Sequence, residues 1–142
     1  MFYDCTSLIT APSVLPATTL TRECYSGMFA ECTSLATTPE LPATTLADYC
    51  YFNMFCDCTS LTTAPELPAT TLANYCYLNM FVECTSLNSI TCLATDTSAS
   101  GCTDSWLYGV AASGTFTKAA SMSSWTTGEN GIPSGWTVNV VS

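Results

Sequence analysis

Apolar and polar residues recur along the first ninety residues of the chain at a spacing of 26 positions. The clearest copy is Met54–Asn79, with the sequence MFCDCTSLTTAPELPATTLANYCYLN. Met28–Asn53 repeats it with small changes, Met1–Gly27 is one residue longer, and Met80–Ile90 is a fourth copy that breaks off. Such a unit cannot bury its own apolar face, so only stacked neighbours supply a continuous core. The pattern therefore predicts a solenoid.

The first half of each copy predicts a β-strand. In the third copy the strand covers residues 61–67, LTTAPEL, where β-branched threonines favour an extended chain. Pro65 donates no hydrogen bond to a ladder, so we expect it at an edge or at an end of the strand. Equivalent strands one repeat apart would pair in parallel at a distance of about 4.8 Å.

The second half of each copy predicts a short helix or helical turn. Four residues of the third copy share one helical face, at i, i+3, i+4 and i+8: Leu72, Tyr75, Cys76 and Met80. Thr71 stands at the position of an N-cap. The expected inward set of this copy is Phe55, Cys58, Leu61, Ala64, Leu67 and Leu72.

These elements predict an α/β solenoid, with parallel strands and helical turns in residues 1–91 and a small β cap in residues 92–142. The array divides into repeats 1–27, 28–53, 54–79 and a partial repeat 80–91. The cap segment drops the period and contains every tryptophan of the chain, and we expect all of these indoles to be buried: Trp106, Trp125 and Trp136.

Three elements of the repeat resemble the BspA-type leucine-rich repeats of bacterial surface proteins: Cys58-Thr-Ser-Leu61, Leu67-Pro68 and Met80-Phe81-x-x-Cys84. The resemblance implies a short leucine-rich repeat array with an adhesion-type role at an extracellular or cell surface. Similar arrays in phage and prophage proteins make a phage virion the alternative location. The chain starts in mid-pattern, which predicts either a fragment of a longer array or association through the open N-terminal repeat. The alternative function is therefore a structural spacer or self-assembly unit that stacks through its uncapped N-terminal end.

Charge and composition exclude several classes of function. Only 2 basic residues stand against 11 acidic ones, for a net charge of −9, so the chain cannot neutralise nucleic-acid phosphates and would be repelled by anionic membrane surfaces. No apolar run approaches the roughly 20 residues that span a bilayer, which predicts no membrane insertion. The chain has no histidine and no nucleophile or phosphate-binding motif. We therefore predict a non-enzymatic protein without cofactor or metal. The resemblance to BspA-type repeats implies that it binds a protein or a glycan on a host or neighbouring surface.

An acidic residue precedes one recurring cysteine in every copy, and these residues form a column: Asp4, Glu31, Asp57 and Glu83. One hypothesis is a Ca²⁺-binding stripe, since Ca²⁺ takes several oxygen ligands. The favoured alternative is a solvated acidic edge, because Ca²⁺ loops normally combine glycine with closely spaced acids from one segment. Glu40 and Glu66 form a second, shorter column with the same favoured interpretation.

Threonines and tyrosines also recur in columns and complete the predicted partner surface. Thr37 and Thr63 belong to a regular threonine array, which would suit ice or glycan binding. The favoured interpretation is structural, since threonine favours strands and caps helices. Two tyrosines flank each of Cys50 and Cys76, so one tyrosine column should face water. The predicted exposed column contains Tyr25, Tyr51 and Tyr77, and the alternative column contains Tyr49 and Tyr75.

Ten cysteines in a small acidic chain are compatible with disulfides, but their regular spacing favours buried thiols. Seven of them fall in two columns: Cys5, Cys32, Cys58 and Cys84 in the first, and Cys24, Cys50 and Cys76 in the second. Cys92 and Cys102 are predicted to lie outside both columns, and a disulfide between them is a hypothesis for the cap.

Overall fold

The computed structural model describes residues 2–123 and 125–141. It contains three short strands, β1 (Ser89–Cys92), β2 (Thr115–Ala119) and β3 (Thr137–Val141), which form one parallel sheet in the order β1-β2-β3. Ser89 pairs with Thr115, and Thr115 pairs with Thr137. Within the described ranges no residue is helical, and no helix is long and apolar enough to cross a membrane.

The repeats stack on one another as layers, one copy per layer. Isolated parallel bridges join the layers upstream of the sheet, including Thr10 to Thr37 and Thr63 to Ser89. From Thr63 onward the pairs continue through Ser89 into β1, β2 and β3, so this line of paired backbone extends past residue 91 into the C-terminal part. Each layer obtains its core from its neighbours, as a tandem repeat requires.

The second half of each layer is a ribbon of successive tight turns, which we call the turn ribbon (residues 21–32, 47–58, 73–84 and 99–110). Its amides alternate between two kinds of acceptor. The Phe52 amide donates to the carbonyl of Tyr49 in its own layer, at 3.2 Å, whereas the Tyr51 amide donates to the carbonyl of Cys76 in the next layer, at 3.1 Å. Every fourth residue is left-handed, with φ of 59° at Tyr49, 57° at Asn53 and 61° at Asp57.

The turn ribbon overturns the predicted α/β solenoid and, with it, the leucine-rich repeat architecture with helical turns. The helix predicted around Leu72, Tyr75, Cys76 and Met80 does not form, because left-handed residues at Tyr75 and Asn79 interrupt any right-handed helix. A repeat of four residues places adjacent pairs inside, here Cys76 with Tyr77 and Met80 with Phe81. Some of these buried residues lie three or four positions apart, which is also the spacing of one face of a helix.

The strand predicted over residues 61–67 is also wrong as a continuous element. The structure has single bridges at Thr63 and Leu67, which pair with Ser89 and Cys92. Pro65 lies between them, and its ring nitrogen has no hydrogen to donate. All six residues of the expected inward set are nevertheless buried.

Two ladders of stacked aromatic rings form the centre of the core. The first contains Phe2, Phe29, Phe55 and Phe81, with successive ring centroids 5.2, 5.5 and 5.5 Å apart. The second contains Tyr25, Tyr51, Tyr77, Trp106 and Trp125, at distances of 5.5 to 6.0 Å. Aromatic pairs at these separations are worth about 0.5–1.5 kcal/mol each beyond their area burial. The ladders therefore fix the register between layers.

The 26-residue period persists into the predicted cap, where the sequence hides it. Cys102 lies 26 positions after Cys76 and belongs to the second cysteine column, which corrects its assignment outside both columns. Trp106 replaces Met80 of the preceding layer, since its carbonyl accepts from the Phe81 amide at 2.9 Å. Of the tryptophans, Trp106 and Trp136 are buried, whereas Trp125 is only half-buried.

Candidate functional site

The acidic column lies at left-handed positions of the backbone, with φ between 57° and 61° at Asp4, Glu31, Asp57 and Glu83. Glycine takes the equivalent place in the next layer, as Gly109 with φ of 80°. Among the described residues no group of three or more acidic, cysteine or histidine side chains is arranged to hold a metal ion. The spacing of the acidic column therefore follows from the repeated left-handed positions of the turn ribbon.

Neighbouring hydroxyl and thiol groups contact two of these carboxylates. The Tyr3 hydroxyl donates to Glu31 at 2.8 Å, and this hydrogen bond raises the pKa of Tyr3. The Cys56 thiol donates to Oδ2 of Asp57 at 3.2 Å. Burial, followed by that hydrogen bond, raises the pKa of Cys56 to about 12. At neutral pH this thiol is protonated, and it is a poor nucleophile in that form.

The threonine array is exposed but interrupted. Thr37 pairs with Thr10 of the first layer, and its hydroxyl accepts from the Ala11 amide at 3.3 Å. Thr63 pairs with Ser89 of the fourth layer, and no bridge joins Thr37 to Thr63 in the described part of the chain. A regular lattice of hydroxyls across all layers, as ice binding would require, is therefore broken between the second and third layers.

The tyrosines predicted to face a partner do not face solvent. Tyr51 and Tyr77 are 2% and 1% exposed and belong to the second aromatic ladder, so their assignment to the partner surface is wrong. The alternative column, Tyr49 and Tyr75, is half-buried, and its ring centroids lie 4.9 Å apart. Arg22 covers the outer ring face of Tyr49 at 5.1 Å.

The far side of this tyrosine column is covered as well. A Cβ atom added to Gly101 would lie 2.3 Å from Cε1 of Tyr75, so the Tyr75 ring lies directly against the glycine backbone. With Arg22 at one end and Gly101 at the other, the rings present their edges and hydroxyls outward. A sugar ring would find no free ring face on the column of Tyr49 and Tyr75 on which to stack.

All ten cysteines are free thiols, including Cys92 and Cys102, which are both buried. The structure therefore does not contain the hypothesised disulfide between them, and the Cys102 thiol donates to the Thr97 carbonyl at 3.5 Å. In the first column, Cys58 and Cys84 donate to the carbonyls of Phe29 and Phe55 in the preceding layers, at 3.1 and 2.9 Å. These thiols bridge layers by hydrogen bonds.

A groove of about 410 Å³ opens between the second and third layers. It lies where the two copies of the motif Pro-Glu-Leu-Pro face each other, at 39–42 and 65–68. Glu40 and Glu66, the second acidic column, line it and are both exposed. The remaining lining residues are Thr38, Pro39, Leu41, Pro42, Pro65 and Pro68.

The groove coincides with a gap in backbone pairing. Between the first and second layers, the Leu15 amide donates to the Glu40 carbonyl at 3.0 Å. Between the third and fourth layers, the Leu67 amide donates to the Thr91 carbonyl at 3.0 Å. No such backbone bond joins residues 36–46 to residues 62–72 within the described ranges, although the turn ribbons of these layers remain paired. The two layers therefore separate on one side only.

Sequence reasoning identified Glu40 and Glu66 as a column but missed the groove. The available signal was that two successive copies carry the motif Pro-Glu-Leu-Pro, whereas the first copy reads Pro-Ser-Val-Leu-Pro at 12–16.

No protein-family model, curated protein or solved structure matches the chain. The resemblance to BspA-type repeats stays a prediction.

Proposed function

We propose that this chain is a non-enzymatic binding module that presents its repeat surface to a protein partner at an extracellular or cell surface. The groove between the second and third layers is the observation that carries the proposal. Elsewhere the layers are joined by backbone hydrogen bonds, and here they leave a concave, proline-lined surface with two exposed carboxylates. Its volume falls in the range of about 300–1,000 Å³ usual for ligand sites.

A protein suits this surface better than a glycan. The residues that line the groove include no aromatic side chain, and the half-buried tyrosines offer no free ring face. The net charge of −9 favours a basic partner and gives electrostatic steering toward it.

The test is a binding screen of the immobilised chain against host-matrix proteins and glycans. We expect saturable binding to at least one protein, with loss of binding in the double variant Glu40→Lys, Glu66→Lys. The control variant Glu23→Lys, Glu129→Lys changes the net charge equally at exposed positions outside the groove and should retain binding. Absence of saturable binding at millimolar concentration, or equal loss in both variants, would contradict the proposal.

Self-association through the ends of the stack is a second candidate function. Among the described residues, six of the seven exposed large apolar side chains lie in the first layer or in β3: Tyr3, Ile9, Val14, Val138, Val140 and Val141. Within the described part of the chain, β3 pairs with β2 on one side and with no strand on the other, and such an edge is a template for a further strand. Sedimentation over a wide concentration range tests this candidate. Association should weaken in Val140→Lys and persist in Tyr108→Lys, and a monomer at every concentration would refute it.

A further inference from the structure

We propose that the groove binds an extended peptide segment that carries lysine or arginine. The peptide backbone pairs with the backbone of Leu41 and Glu66, and its cations pair with the carboxylates of Glu40 and Glu66. This inference rests on the proposed function, since it names the class of protein segment that the module recognises.

Free backbone groups supply the first part of the argument. In the preceding pair of layers, the Glu40 amide donates to the Ser13 carbonyl at 2.9 Å and the Leu15 amide donates to the Glu40 carbonyl. One layer further, the equivalent amides of Glu66 and Leu41 have no hydrogen-bond partner among the described residues. Unpaired groups of this kind at a strand edge are the template on which an extended peptide adds as a further strand.

Unpaired charge supplies the second part. The chain has only two basic side chains, Arg22 and Lys118, and both are engaged elsewhere. Arg22 lies over Tyr49 and 3.6 Å from Glu23, and Lys118 donates to the carbonyl of Met122. Within the described part of the chain Glu40 and Glu66 therefore form no ion pair, and a cation from the partner is the complement that the groove lacks.

The walls of the groove supply the third part. Four proline rings line it: Pro39, Pro42, Pro65 and Pro68. Pro39 and Pro65 are buried, whereas Pro42 is exposed and Pro68 is half-buried. The rings of Pro42 and Pro68 therefore offer apolar surface along which the aliphatic stems of lysine and arginine pack, while the charged head stays at the rim. Proline also has no amide hydrogen, so none of these four residues competes with a bound peptide as a donor to the carbonyl groups of the groove.

The probe is acetyl-Lys-Val-Lys-Val-amide, titrated by calorimetry and by amide chemical shifts of the full chain. We expect saturable binding with the largest shifts at Leu41 and Glu66. Acetyl-Glu-Val-Glu-Val-amide should not bind, because its carboxylates face Glu40 and Glu66. The lysine peptide with both valines N-methylated keeps the charge but loses backbone donors, and it should bind at least tenfold more weakly.

The variant Glu40→Gln, Glu66→Gln should weaken binding of the lysine peptide about tenfold, the effect of losing two exposed ion pairs. The control Glu23→Gln, Glu129→Gln alters the net charge equally and should bind within twofold of the unmodified chain. Binding by the unmodified chain should also weaken as salt is raised, which tests the charge term without any substitution.

The inference is overturned if the lysine peptide does not bind, if the N-methylated peptide binds equally well, or if both glutamine variants weaken equally. Should a protein partner still bind in a manner sensitive to Glu40→Lys, Glu66→Lys, the inference fails alone. If no protein binds either, the proposed function fails with it.

Discussion

The left-handed position of Asn79 allows a test that separates the turn ribbon from a helix. Asn79 has φ of 55°, and the backbone on both sides is held in place. Its amide donates to the Asp104 carbonyl at 3.1 Å, and its carbonyl accepts from the Val82 amide at 3.4 Å. A substituted residue therefore cannot relax out of the left-handed region. Glycine already occupies the equivalent position of the first layer, as Gly27 with φ of 63°.

The expected effect follows from comparing Asn79→Ala with Asn79→Gly. In the left-handed region alanine is strained by about 1–2 kcal/mol, which glycine avoids. Glycine loses about 0.4–1 kcal/mol through the greater entropy of its unfolded chain. The glycine variant should therefore be more stable by about 1 kcal/mol, or about 3–4 °C in melting temperature for a chain of this size. A helix would reverse the sign, with alanine favoured by about 1 kcal/mol.

Urea and thermal unfolding of both variants measure this difference. Ala47→Gly is the control, since residue 47 lies in the same turn ribbon without a positive φ. There glycine should lower stability by about 0.4–1 kcal/mol. If Asn79→Ala is as stable as Asn79→Gly or more so, the account of the turn ribbon is refuted.

Two further predictions concern the core. Phe55 is fully buried between Phe29 and Phe81. Phe55→Ala should therefore lower the free energy of unfolding in urea by about 3–5 kcal/mol. An equal loss in Phe52→Ala, at a half-buried site, would contradict the stacked ladder. Burial raises the pKa of Cys50 and of Cys58 to about 12. Stability should be full below about pH 8.5 and fall as the pH rises toward 12, because the unfolded thiols ionise first; a urea midpoint unchanged between pH 7 and pH 10 would refute this.

The repeat and its buried positions could be predicted from the sequence, because burial depends on residue type and recurs at fixed intervals. The local backbone could not be predicted in the same way. A helix and a ribbon of four-residue turns both place apolar residues three and four positions apart, and the left-handed residues include Tyr75 and Glu83, which do not signal positive φ. The adjacent buried pairs, such as Cys76 with Tyr77, were the pattern that distinguishes the two.

The candidate site depended on an arrangement that no single repeat contains. The first copy also has prolines, at Pro12 and Pro16, yet its backbone pairs with the second layer. Proline content alone therefore does not predict where pairing fails. Only the contact between the second and third layers shows that the amides of Leu41 and Glu66 are free.

Native-state amide hydrogen exchange tests the central claim, an open junction between these two layers, most directly. Amides that break hydrogen bonds only on unfolding exchange slowly, whereas unbonded amides at a surface exchange quickly. Glu66 is exposed and Leu41 is only 3% exposed, but neither amide has a hydrogen-bond partner among the described residues. We predict faster exchange at Leu41 and Glu66 than at the amides of Leu15 and Leu67, which are hydrogen-bonded at 3.0 Å. Equal protection at all four amides would contradict the open junction and remove the basis for the groove.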